Sequence, residues 1–251
     1  MLNAWPGDAE ELRQEQRRLA ALSPPAWCIT PGARVGACFV CFAEDPTALA
    51  VGAEPAWAAA VTFEVGRRVA AAVVEGSTAA SYQAGLLALR AGPLLARAVA
   101  RLQPAPDVLL VNATGRDHPR RAGLALHLGA VVQLPTVGVT DRPLATAEAV
   151  VDVSGGAATR TLRLDGCDVA ALAQLGPGGR GVWAHAAWRT DVATALELVR
   201  AIGGSARTPA PLREARRLAR TARAWAQGVA HTHRTTHARG GRELRQPVRA
   251  R

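Results

Sequence analysis

The stretch from Pro106 to Leu144, PDVLLVNATGRDHPRRAGLALHLGAVVQLPTVGVTDRPL, constrains the fold more than any other part of this chain. Val108, Leu109, Leu110 and Val111 form a short apolar run that breaks on the polar Asn112, which predicts a buried strand. Gly115 supplies a turn and His118-Pro119-Arg120-Arg121 a basic loop; the small residues that follow predict a helix through His127. Val131 to Val139 reads as the next strand. Strand, turn, helix and strand in succession point to an α/β sheet, and open sheets of that class place ligands where a strand tip meets a helix start.

The flanking sequence extends this pattern. Asp8 to Leu22 is amphipathic, with acids first and arginines later, which suits a helix dipole. Arg34 to Phe42 predicts a strand, and Val61 to Val74 two more around Gly66-Arg67-Arg68. A turn at Gly85 leads into a helix from Leu94 to Leu102. Arg160 to Leu164 and Gly181 to Ala184 are short strand candidates. Thr190 to Ile202 predicts a helix capped by Thr190 or Asp191 and stopped by Gly203-Gly204, with a last helix over Pro211 to Trp225. The expected architecture is a mixed central sheet flanked by helices. It forms one domain over residues 1–225, followed by an arginine-rich tail, residues 226–251, too poor in apolar residues to fold.

All 30 basic residues are arginine, and the formal net charge of +10 favours polyanionic partners. The charge is uneven: from Arg213 onward, eleven arginines face two acids, Glu214 and Glu243. No run approaches the roughly 18 apolar residues of a membrane span, and Met1 to Leu12 lacks the basic-then-apolar layout of a secretory leader. A cytoplasmic monomer is the expectation. Cys38 and Cys41 have CxxC spacing inside an apolar run, with no second pair to complete a zinc site, so they read as small buried hydrophobes.

The segment NATGRDHPRRAGLALHLG closely resembles the signature region of the endonuclease V family, through Gly115, His118, Pro119, Arg120, Arg121, Gly123, Ala125, His127 and Gly129. The resemblance covers roughly residues 8 to 225. It implies a ribonuclease H-like fold and a nuclease that nicks DNA or RNA near deaminated purines, using Mg²⁺ held by carboxylates. At the four positions where the family carries those ligands, this chain has Cys38, Ala91, Asn112 and Arg216, the last on a less secure match. Further family positions are changed to Asp141 and to Ala187-Trp188. One expectation is an Arg216–Asp141 ion pair across the vacated pocket.

No metal or other cofactor is therefore expected, and no catalytic residue. The resemblance points to Tyr82, Gly85, Gly115, His118, Arg120 and Arg121 as nucleic-acid contacts. Arg120 and Arg121 read as lying at a helix start, where free amides favour phosphate, and Tyr82 matches the aromatic of the family's strand-separating wedge. His127 reads as a packed structural histidine and Asp117 as a turn acid. The expected partner is DNA or RNA, with or without inosine, and cleavage of it is expected to be lost or very weak. Two rival readings are an active inosine-directed nuclease with an altered metal site and a protein-interaction module on the same scaffold.

Overall fold

The computed structural model describes residues 5–43, 54–78, 80, 83–144, 147–152, 159–175 and 181–239, with the side chains at 152, 159 and 229–239 excepted. Among them, nine strands form one sheet: β1 (Val35–Phe42), β2 (Pro55–Glu64), β3 (Arg67–Ser77), β4 (Val108–Val111), β5 (Thr136–Thr140), β6 (Glu148–Asp152), β7 (Thr159–Leu164), β8 (Cys167–Ala173) and β9 (Val182–Ala186). The helices are α1 (Ala9–Ala20), α2 (Leu87–Val99), α3 (Leu124–Val132), α4 (Val192–Ala201) and α5 (Ala210–Arg239).

Strand order is β3-β2-β1-β4-β5-β9-β8-β7-β6. The centre, β1-β4-β5, is parallel, and antiparallel strands extend it on both sides. Parallel strands are stable when both faces are covered, and both are. One apolar cluster packs α1, α2 and α3 against one face, and a second packs α4 and α5 against the other. The two outer hairpins turn through residue pairs with positive φ, Val65-Gly66 and Asp165-Gly166, the geometry whose twist matches paired strands.

Several boundaries differ from the sequence reading. β2 begins at Pro55, because Ala56 to Val61 lie on both buried faces and show no alternation. α2 starts at Leu87 and passes through Pro93; burial of Ala88, Leu89, Ala91 and Gly92 outweighs the hydrogen bond that proline forfeits. Val131 and Val132 end α3 instead of opening β5. β6 and β8 were not anticipated. α5 runs on to Arg239, past the expected helix end at Trp225. Residues 240–251 lie outside the described residues.

Candidate nucleic-acid interface

The C-terminal tips of β4 and β5 face a cavity of about 480 Å³. Its walls come from the start of α2 (Leu87, Ala88), the segment after β4 (Asn112 to Thr114), the basic loop (His118 to Arg120), Leu124 of α3 and the segment after β5 (Thr140, Arg142, Leu144). Gly85 stands at its rim with φ of +77°, a conformation that side chains rarely adopt, and its carbonyl is a hub. It accepts from Arg120 Nη2 at 2.8 Å, His118 Nε2 at 3.1 Å and Gln16 Nε2 at 3.3 Å. Gln16, fully buried on α1, also accepts from Arg120 Nε at 2.6 Å and donates to Ala122 O.

These bonds fix the state of His118. Nε2 faces a carbonyl and so carries the proton, while Nδ1 accepts from the Arg120 N–H at 3.2 Å. Burial, helped by the Arg120 charge, holds its pKa below the ordinary histidine value. A neutral ring with both nitrogens engaged is a strut for Arg120, not a free base. Burial also lowers the Arg120 pKa, with Arg13 and Arg17 adding to the effect.

Beneath the basic loop lies a constellation the sequence reading missed. Asp117 and His185 are both fully buried, with His185 Nδ1 3.0 Å from Asp117 Oδ1, close but not aligned as a hydrogen bond. Asp117 Oδ1 also accepts the Gly115 N–H at 2.8 Å, and His185 Nε2 meets the Thr140 hydroxyl at 2.8 Å. Asp117 thus has the turn role expected of it, bonding the amide two residues before it, and plays that role fully buried. Residues 117, 140 and 185 are far apart in sequence and belong to different elements, so no local motif could have shown the contact. Gly115 is required here: a Cβ would lie 2.1 Å from the Ala186 carbonyl oxygen.

The remaining expected contacts divide. α3 begins only at Leu124, because the Gly123 N–H is taken by Gly115 O and Arg121 sits at φ of +58°; Arg120 and Arg121 therefore precede the helix in a turn. Arg121 turns away from the cavity and donates to Leu164 O at 2.5 Å. Tyr82 lies outside the described residues. His127 is buried and stacks on Trp5 with centroids 4.6 Å apart, as a packed histidine should.

At the outer edge of the cavity, Asn112 Oδ1 accepts from Arg216 Nη2 at 3.4 Å, and the same guanidinium lies over the Phe39 ring at 5.1 Å. Cys38 pairs with Val111 in the parallel ladder, one residue from Asn112. Cys38 and Ala91 share a fully buried apolar cluster, and burial raises the Cys38 thiol pKa far above its ordinary value. The anticipated Arg216–Asp141 pair does not form. Asp141 instead meets Arg207, at 3.6 Å, whose guanidinium also bonds the Asp141 carbonyl, and Arg216 is taken up by Asn112.

A family model described as Endonuclease V matches residues 35–217. The chain belongs to the endonuclease V family. It is 31% identical to the Endonuclease V of Roseiflexus castenholzii over 216 residues, covering 86% of this chain and 93% of that protein. It is 36% identical to that of Thermus thermophilus over 146 residues, a match spanning 58% of this chain and 65% of that relative's length. In structure it resembles Streptomyces avermitilis Endonuclease V, with a TM-score of 0.75 at 28% identity, covering 89% and 96% of the two chains. A Ciona intestinalis Endonuclease V in complex with DNA containing an inosine followed by a ribo-adenosine shares the fold, with a TM-score of 0.71 at 17% identity, covering 86% and 97%.

The endonuclease V resemblance assigns Mg²⁺ to the positions of Cys38, Ala91, Asn112 and Arg216, and these side chains do not fit that ion. Mg²⁺ takes hard oxygen ligands, mostly carboxylates and waters. Here one position is a buried thiol, one has no donor atom, one offers a neutral carbonyl that already faces a guanidinium, and one is itself cationic. Among the described residues, no three His, Cys, Asp or Glu side chains converge to hold a metal.

Proposed function

We propose that this endonuclease V family member binds nucleic acid of the deaminated-purine class, DNA or RNA containing inosine, and that its Mg²⁺-dependent cleavage is absent or very weak. The observation that carries the reading is the Arg216 guanidinium against Asn112. A divalent ion about 4 Å from that charge would meet repulsion on the order of 8 kcal/mol at an effective dielectric near 20. Among the described residues, no three His, Cys, Asp or Glu side chains gather to offset it.

Nucleic-acid affinity is supported by what remains. The cavity has the volume of a small-ligand pocket, with apolar walls at Leu87, Leu124 and Leu144 on which a base could stack and polar groups at Asn112, Thr114 and Thr140 to read its edge. Arg120 is held at the rim by Gln16 and Gly85, ready to meet a phosphate.

The test is cleavage of a deoxyinosine or inosine oligonucleotide with Mg²⁺ or Mn²⁺ at enzyme excess. It is run beside a restoration variant carrying Cys38→Asp, Ala91→Glu, Asn112→Asp and Arg216→Asp. Salt-dependent binding with no nicking is the expected result for the natural sequence. Nicking by that sequence would overturn the loss of cleavage, and no binding at low salt would overturn the nucleic-acid reading.

A further inference from the structure

The outer face of α5 carries arginines at spacings that put them on one side of a helix: Arg213, Arg216, Arg217 and Arg220 line a shallow groove together with Thr221 and Ala224. Arg217 is neutralised by Glu214, which also pairs with Arg68. Arg213, Arg216 and Arg220 have no carboxylate partner among the described residues, and Arg213 and Arg220 are exposed. Charge of one sign lining a groove raises the local concentration of anions and steers a polyanion toward it. The groove is also not isolated. Arg216 reaches Asn112, and Asn112 is part of the wall of the 480 Å³ cavity, so the cationic face and the cavity meet at one side chain.

We infer that Arg213, Arg216 and Arg220 form a track for the phosphate backbone of a single-stranded nucleic acid whose base occupies the cavity. The inference rests on the nucleic-acid reading above and adds to it a direction and a metal-free source of positive charge. At 1.5 Å rise per residue the three positions span about 10 Å of helix axis. A strand laid along that face would meet the three arginines in succession, each about a turn of helix from the next. Arg216 stands at the cavity mouth with one arginine about a turn to either side, so the strand passes the mouth along α5. An acidic peptide would match the charge, but only a nucleic-acid strand carries a flat base beside every charged group, which favours the nucleic-acid occupant.

The experiment measures binding of a fluorescein-labelled single-stranded oligonucleotide containing one inosine, with EDTA present, across a salt series. The proteins are the natural sequence, Arg220→Gln, Arg213→Gln/Arg220→Gln, and a charge-matched control, Arg160→Gln/Arg200→Gln, which removes two exposed arginines from β7 and α4. Each lost phosphate contact on a single strand lowers the slope of log K against log salt by about 0.7, so the α5 double variant should be shallower by about 1.4. Arg220→Gln should give half that change and the control none. The ratio of affinities for inosine-containing and inosine-free strands should stay the same, because the base is read in the cavity. If the natural sequence binds but the α5 variants keep its slope, or the control changes equally, the track is wrong and the nucleic-acid reading stands. Failure of the natural sequence to bind at low salt overturns both. Displacement of the strand by polyglutamate at equal charge concentration, as effectively as by unlabelled strand, overturns the choice of partner.

Discussion

Acidification should destabilise this protein through His127, by an amount the structure supplies. The imidazole sits in α3, 1% exposed, stacked on Trp5, with neither nitrogen hydrogen-bonded. Burial pushes its pKa from 6.5 down to about 4; the charge of Glu15 opposes the shift and that of Arg18 adds to it. In the unfolded chain the ring titrates near the ordinary value. Between the two pKa values the unfolded state binds a proton that the native state does not, so stability falls as pH drops from 6.5 to about 4 and levels off below. A shift of that size corresponds to about 3 kcal/mol. Denaturant unfolding followed by circular dichroism, at pH steps from 7 to 4, compares the natural sequence with His127→Phe, which keeps a ring against Trp5 and removes the titration. His118, whose pKa burial also lowers, is common to both proteins and cancels in the difference. The stability difference should move by about 3 kcal/mol in favour of the variant over that range. Parallel pH profiles would refute the reasoning.

Asp117→Ala would leave the buried Gly115 amide without its acceptor and empty the space beside His185; a loss of about 1–3 kcal/mol is expected in denaturant unfolding. Gly115→Ala would drive a methyl into the Ala186 backbone, which cannot yield as a side chain can, so a loss of at least about 1–3 kcal/mol is expected and a thermal melt checks it. Of the four free cysteines, Cys28 and Cys167 are exposed and Cys38 and Cys41 buried. A thiol reagent should therefore titrate two groups in the native protein and all four in denaturant; rapid native labelling of Cys38 would contradict its place in the core.

The centre of the fold was legible because its signals are local. The apolar run Val108 to Val111 and the following glycine turn mark β4 and its tip, and Asp8 and Asp191 cap α1 and α4 through side-chain oxygens, as helix starts require. The outer strands were harder. β8 reads CDVAALA, and alanine signals neither strand nor helix, although the Asp165-Gly166 pair before it is a hairpin signal that could have been used. The family pattern led to Gly85, His118 and Arg120, which the fold brings together, and to Arg121, which it turns toward Leu164. What no pattern could give was the long-range partner: Gln16 behind Arg120, His185 behind Asp117, and Asn112 in place of Asp141 for Arg216.

Gln16 has one more consequence. It lies before residue 35, where the family match begins, yet it steers the guanidinium at the cavity rim; Arg116, in the loop it supports, is tied to the carbonyls of Ala20 and Leu22. A fragment cut to the matched span would retain the sheet and lose the brace behind its basic loop. Sequence boundaries drawn by similarity and the mechanical boundary of the cavity are therefore different lines in this protein, and the leading helix belongs inside the second.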